Sequence, residues 1–143
     1  MIKRFNQITQ CFILLILINP AIADVVVIVH PENPVNSLTR EQIADLFLDK
    51  SKSFPDGKLS VPVNLVDEDS SRQIFVEKVL KRKTTQLRAY WADLIFTGKG
   101  KPPKTVDFPE DMLDLVSNNP SIIGYLDLED INDSVKIVYR IKN

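Results

Sequence analysis

The sequence predicts a three-layer α/β domain, in which a sheet is flanked by helices. Two observations support this prediction. Residues 25–29 form an unbroken β-branched run without polar alternation, which is typical of a strand covered on both faces. After this run, segments with helical periodicity alternate with short apolar segments along the rest of the chain. Such alternation is characteristic of sheets whose strands are joined by helices.

The first 23 residues have the pattern of a cleavable signal peptide. Lys3 and Arg4 form a basic start, and the apolar run at 12–18 is too short to span a bilayer. Residues 20–23 (Pro-Ala-Ile-Ala) end in the small side chains that signal peptidase requires. We therefore expect an exported, periplasmic protein with a mature domain over 24–143 and no transmembrane segment after cleavage.

Composition narrows the expected function. The segment 1–23 holds two of the 18 basic residues and none of the 19 acidic ones, so the mature chain has a formal charge of about −3. Nucleic acid is therefore not an expected partner. The only cysteine, Cys11, leaves with the signal, and His30 is the only histidine. Because nucleophile, base and orienting group cannot be assembled from these residues, we expect no enzymatic activity, no cofactor and no metal site.

The first half of the mature domain predicts one helix and a second strand. Thr39 and Gln42 form a capping box, and the apolar residues after it fall on one helical face, so we expect a helix over 40–48. The Phe-Pro-Asp-Gly sequence at 54–57 is typical of a turn. A strand is expected after this turn, over 59–66.

Two further helices are expected in the middle of the chain. Residues 70–73 (Ser-Ser-Arg-Gln) form a second capping box, which predicts Ser70 as the N-cap of a helix. The next helix should run from about Thr85 to Gly98, because apolar residues recur there at helical spacing. Its core-facing residues are predicted to be Leu87, Tyr90, Trp91, Leu94 and Ile95.

The last third predicts a loop, a short helix and two strands. The loop covers 98–103, where glycine and proline are frequent. Pro109 is placed at the start of a helix, which the Asn-Asn-Pro sequence at 118–120 should end. Apolar segments at 122–126 and 135–139 are expected to be the final strands.

Three segments suggest a family. The first segment has Asn-Pro-Val at 33–35 and Leu-Thr-Arg-Glu-Gln-Ile-Ala-Asp-Leu-Phe at 38–47. The second segment, 61–75, joins a strand, an acidic loop and a helix. The third segment is Asn-Pro-Ser-Ile-Ile-Gly-Tyr at 119–125. In order and spacing they resemble one lobe of the periplasmic phosphate-binding proteins, the substrate-binding components of ABC importers. The resemblance covers roughly 25–128. It implies a single-lobe, type II periplasmic-binding-protein-like fold with a mixed sheet, and a role in binding phosphate or another small anion.

The same resemblance implies where an anion would bind. It aligns Asp67 with the acceptor aspartate of that family and Ser71 with its threonine, whereas Leu65 replaces its arginine. A helix start offers unpaired backbone N–H groups and the positive end of the helix dipole. The predicted ligand-binding residues are Asp67, Asp69, Ser70, Ser71 and Arg72.

The residues leave alternatives open at this loop. Capping alone would explain Ser70, and the three carboxylates at 67–69 would repel a dianion. The carboxylates also resemble the start of a calcium loop, but the glycine and the distal glutamate that such a loop requires are missing.

Two alternatives also remain for function. The basic residues at 78–83, with further lysines at 99–104, are either solvated charges near a helix end or a surface for anionic lipid or an acidic partner. The whole domain is either an anion-binding or accessory module, or an envelope protein–protein interaction module that kept the fold and lost its ligand. The second reading implies an envelope partner or self-association.

Overall fold

The computed structural model describes residues 24–142; the predicted signal peptide and Asn143 lie outside this range. Helices and strands alternate largely as the sequence predicts. The strands are β1 (Val25–Val29), β2 (Val61–Leu65), β3 (Lys104–Val106), β4 (Ile122–Asp127) and β5 (Lys136–Ile141). The α-helices are α1 (Arg40–Phe47), α2 (Ser70–Lys78), α3 (Thr84–Phe96) and α4 (Pro109–Asn118), and a 3-10 turn, Leu128–Asp130, follows β4.

The five strands form a mixed sheet in the order β3-β2-β4-β1-β5. Strand β2 is parallel to both β3 and β4, whereas β1 is antiparallel to both β4 and β5. All five residues of β1 are fully buried. The apolar run that predicted a strand covered on both faces is therefore an inner strand of the sheet.

Adjacent residues of β4 show that both faces of the sheet are covered. Gly124 and Tyr125 point to opposite faces because side chains alternate along a strand. Met112 of α4 fills the space beside Gly124. On the other face, the rings of Phe75 in α2 and Phe47 in α1 pack against Tyr125, with centroid distances of 4.0 and 5.8 Å. The predicted three-layer architecture is confirmed.

The capping box of α1 forms as predicted. The Gln42 N–H donates to Thr39 Oγ1 at 3.1 Å, and the Thr39 N–H donates to Gln42 Oε1 at 2.9 Å. Both contacts are local, which is why four residues of sequence were enough to predict them.

Helix α3 is less buried than its sequence pattern predicts. Leu87 and Trp91 are buried, but Ile95 is 57% exposed, so its placement in the core is wrong. The helix packs along one narrow side, where the Tyr90 hydroxyl donates to the Leu48 carbonyl at 2.6 Å. The residues at its C-terminal end, including Phe96, lie beyond that contact and face solvent.

Strand β3 is absent from the sequence prediction. It has only three residues and pairs with β2 at the edge of the sheet. A three-residue segment is too short for a periodic pattern to show. Among residues 24–142, no helix has the length and apolar character needed to cross a bilayer.

Candidate functional site

The start of α2 is capped by Asp69 rather than Ser70, so the predicted second capping box is wrong. Asp69 has an extended backbone, and its Oδ1 accepts the Ser71 N–H at 2.8 Å. A carboxylate also interacts favourably with the positive end of the helix dipole, which favours Asp69 as the cap. Ser70 is the first helical residue and is exposed, whereas Ser71 is buried.

Arg72 is directed into the protein. Its side chain is 10% exposed, and its Nη1 donates to Asn64 Oδ1 at 2.7 Å. Its Nε donates to Asp67 Oδ1 at 3.4 Å. The only basic residue of the predicted anion site is therefore paired with an amide oxygen and a carboxylate of the same chain.

The Asn64 side chain connects Arg72 to the centre of the sheet. The Tyr125 hydroxyl donates to Asn64 Oδ1 at 3.2 Å and accepts the Leu65 N–H at 3.2 Å. Burial raises the pKa of Tyr125 to about 12, so its hydroxyl stays protonated at neutral pH. The sequence pattern did not predict this network. The available signal was Asn64 itself, a polar residue inside an apolar strand.

The carboxyl ends of three parallel strands meet beside this loop. Strands β2, β3 and β4 are parallel, and each is followed by an acidic segment: 67–69, 107–111 and 127–130. The acidic residues in these segments are Asp67, Glu68, Asp69, Asp107, Glu110, Asp111, Asp127, Glu129 and Asp130. We refer to them together as the acidic edge.

The acidic residues of this edge influence one another. The pKa of Asp130 is raised, first by partial burial and then by the charges of Asp127, Glu110, Asp69 and Glu129. These carboxylates come from all three segments, so the segments lie within electrostatic reach of each other. The resulting potential disfavours an anion and favours a cation.

The structure thus brings the predicted site residues together, and the charged ones among them are already engaged within the protein. Asp67 pairs with Arg72, and Asp69 caps Ser71. Leu65, which stands where the resembled family has an arginine, is 1% exposed and lies in the core.

Within residues 24–142, no three or more His, Cys, Asp and Glu side chains are grouped so as to hold a metal ion. His30 has a local role, because its Nδ1 accepts the Glu32 N–H at 3.0 Å in the turn after β1.

Solved structures of phosphate-transport proteins match this fold. An ABC-type phosphate transport receptor from Vibrio cholerae matches with a TM-score of 0.64 at 18% identity, over 81% of this chain and 46% of the receptor. A Clostridium perfringens protein assigned as a phosphate ABC transporter substrate-binding protein, solved with bound phosphate, matches with a TM-score of 0.64 at 26% identity, over 81% and 45%. PstS from Borrelia burgdorferi matches with a TM-score of 0.60 at 16% identity, over 81% and 47%.

These matches define the fold class. The chain has the α/β fold of one lobe of PstS-type periplasmic binding proteins, and it spans less than half the length of the structures it matches. No protein-family model and no curated protein sequence matches the chain.

Proposed function

We propose that this chain is an exported, non-enzymatic accessory module of the cell envelope, which uses the fold of a substrate-binding lobe to bind a positively charged protein partner. The observation that carries this proposal is the acidic edge. In open α/β sheets, ligands bind in the crevice outside the carboxyl ends of the parallel strands. Here carboxylates from three segments gather where those strands end, so the electrostatic potential at this edge suits a basic partner.

The state of Arg72 supports the same conclusion. Arg72 donates from Nη1 to Asn64 and from Nε to Asp67, so turning this guanidinium outward to a ligand would break both hydrogen bonds. Hydrogen bonds to charged groups stabilise by about 1.5–3 kcal/mol each, and leaving a buried charged group without its partner costs more free energy than that. Phosphate would have to repay this cost while approaching the carboxylates of the acidic edge.

An exposed aromatic residue gives the proposed interface an anchor. Phe108 precedes α4, is 63% exposed, and lies two residues from Glu110 of the acidic edge. Interfaces commonly combine an aromatic anchor with a polar rim. A partner with basic side chains around an apolar pocket would complement this arrangement.

Site-specific photo-crosslinking in intact cells tests the proposed partner. A photoreactive amino acid at position 108 should give a covalent adduct of defined mass, whereas the same group at position 96, another exposed phenylalanine, should not. The variant Glu68→Gln/Glu110→Gln/Glu129→Gln should lose the adduct. A variant with three changes elsewhere, Asp56→Asn/Glu77→Gln/Asp133→Asn, should retain it. No adduct at 108, or equal loss in both variants, would overturn the proposal.

A second candidate function is anion binding at the start of α2 by Asp67, Asp69, Ser70, Ser71 and Arg72. The match to a structure with bound phosphate favours it, as does the exposure of Ser70 at the helix start. If this site functions, Asp69→Ser should strengthen phosphate binding by removing a carboxylate while keeping a capping oxygen. Arg72→Ala should weaken it. Calorimetry of the wild type and of these two variants with phosphate and sulfate, with calcium as a control ion, tests this function, because only binding at the start of α2 should respond to both substitutions.

A further inference from the structure

A second charged feature lies at the other end of α2. A cleft of about 280 Å³ opens where α1 begins and where α2 and β5 end. Its basic residues are Arg40, Lys78, Lys81, Arg140 and Lys142. We refer to it as the basic cleft. The length of α2, about 13 Å for a nine-residue helix, separates the basic cleft from Ser70.

Contacts between the helices hold this cleft in shape. Arg40 Nη1 donates to the Val79 carbonyl at 2.9 Å, which joins the start of α1 to the end of α2. Lys81 follows α2 with φ of 55°, a left-handed conformation that turns the chain. Its charge reaches α1: the pKa of Glu41 is lowered by a backbone hydrogen bond, by Arg40 and also by Lys81.

Positive charge in the basic cleft exceeds the negative charge around it. Glu41 pairs with Arg40 at 2.8 Å, and Glu77 lies 3.9 Å from Lys78. The remaining basic residues, Lys81, Arg140 and Lys142, form no ion pair with the described residues. Five basic side chains thus face two carboxylates, in a chain whose total formal charge is −1.

Helix dipoles do not account for this grouping. A helix C-terminus favours cations, which explains Lys78 and Lys81. It does not explain Arg140 and Lys142 at the end of β5, nor Arg40, which lies at a helix N-terminus where a cation is disfavoured. Helix dipoles therefore do not explain why basic residues from three separate segments lie together in this cleft.

We propose that the basic cleft binds a phosphate group, either free or carried by the headgroup of an anionic lipid. Guanidinium groups bind phosphate oxygens in a bidentate manner, and lysines add mobile charge. The volume is slightly below the usual range for small-molecule pockets, about 300–1,000 Å³, so it suits one anionic group better than a large ligand. This site is independent of the acidic edge.

Titrations with two probes test the proposal and identify the source of the phosphate group. Inorganic phosphate is titrated while backbone amide signals of residues 78–81 and 139–142 are followed by NMR. Vesicles of phosphatidylglycerol, with phosphatidylcholine vesicles as the neutral control, are tested by co-sedimentation. Saturable shifts in these segments, or binding to the anionic vesicles alone, are expected, and both should weaken as salt rises.

Paired charge variants make the test specific. Arg140→Gln/Lys142→Gln removes two charges of the basic cleft and should lower the affinity at least tenfold. Lys50→Gln/Lys58→Gln removes the same charge from exposed lysines outside the basic cleft and should change the affinity less than twofold. Urea unfolding checks that both variants fold. Equal losses in the two variants, or no saturable binding of either probe, would overturn the proposal.

Discussion

At the scale of single residues, three side chains determine what the start of α2 can do. Asn64 Oδ1 accepts from both Arg72 and Tyr125, so one amide oxygen fixes a guanidinium and a phenol. The two donors come from α2 and from β4, and all three residues are buried. Because the network gives these three side chains partners inside the protein, it stabilises the fold and holds the guanidinium of Arg72 in place.

From the contacts and pKa of the Tyr125 hydroxyl, we predict how its removal changes the free energy of unfolding and how this change depends on pH. Tyr125→Phe should cost about 1–3 kcal/mol at neutral pH, because it leaves the buried Leu65 N–H without an acceptor. The pKa of Tyr125 is about 12 in the folded protein and about 10 in an unfolded chain. Its protonated form therefore stabilises the fold fully below pH ~10.

That stabilisation should decline as the pH rises from 10 to 12, by about 1.4 kcal/mol per unit from this group alone. Urea unfolding of wild type and Tyr125→Phe across this interval measures the difference. The free energies of unfolding of the two proteins should converge with rising pH. A constant gap between them would show that Tyr125 is not shielded from deprotonation.

At the scale of elements, the cap of α2 and the packing of α4 predict how mutations change the stability of the protein. Asp69 supplies the cap that the sequence pattern assigned to Ser70. Asp69→Ala should therefore cost about 1 kcal/mol, whereas Ser70→Ala should change stability by less than about 0.5 kcal/mol. Denaturant unfolding of both variants checks this order, and the reverse order would restore Ser70 as the cap.

Close packing of α4 on β4 predicts non-additive mutations. Met112 Sδ fills the place that a Cβ on Gly124 would occupy, so Gly124→Ala should destabilise by about 1–3 kcal/mol through overpacking. Met112→Ala leaves a cavity and should cost about 2–5 kcal/mol. The double variant should cost less than the sum, because the new methyl group enters that cavity. Strict additivity in thermal or urea unfolding would contradict this packing.

Contacts between residues close together in the sequence could be predicted from it, whereas contacts between distant residues could not. The capping box at Thr39 and the buried run of β1 are local features, so their sequence patterns were sufficient. Asn64 and Tyr125 are 61 residues apart, and the basic cleft joins Arg40 to Lys142. No local pattern reports such contacts, and so the predicted site contained Arg72 and Asp67 but neither Asn64 nor Tyr125.

At the scale of the whole molecule, charge is separated into distinct regions. Carboxylates gather at the acidic edge, where three parallel strands end, and basic residues gather at the basic cleft. The chain has the fold of one lobe of PstS-type binding proteins, and the carboxylates of its acidic edge disfavour an anion such as phosphate. The fold of this chain therefore does not by itself identify its ligand.

Export remains a prediction from sequence, since residues 1–23 lie outside the described range. Cleavage between Ala23 and Asp24 is expected, because Ala21 and Ala23 suit the small pockets of signal peptidase. Intact-mass measurement of the secreted species tests this directly. A mature protein that retains Cys11 or carries a lipid would contradict it.

The central claim, that Asp69 and Arg72 at the start of α2 are engaged by other groups of the protein, is tested most directly by an NMR titration of the wild type with inorganic phosphate. We expect the backbone amide signals of residues 69–73 to remain unchanged through millimolar phosphate, whether or not signals of the basic cleft shift. Saturable shifts at 69–73, abolished in Arg72→Ala, would contradict the account and identify the start of α2 as a working anion site.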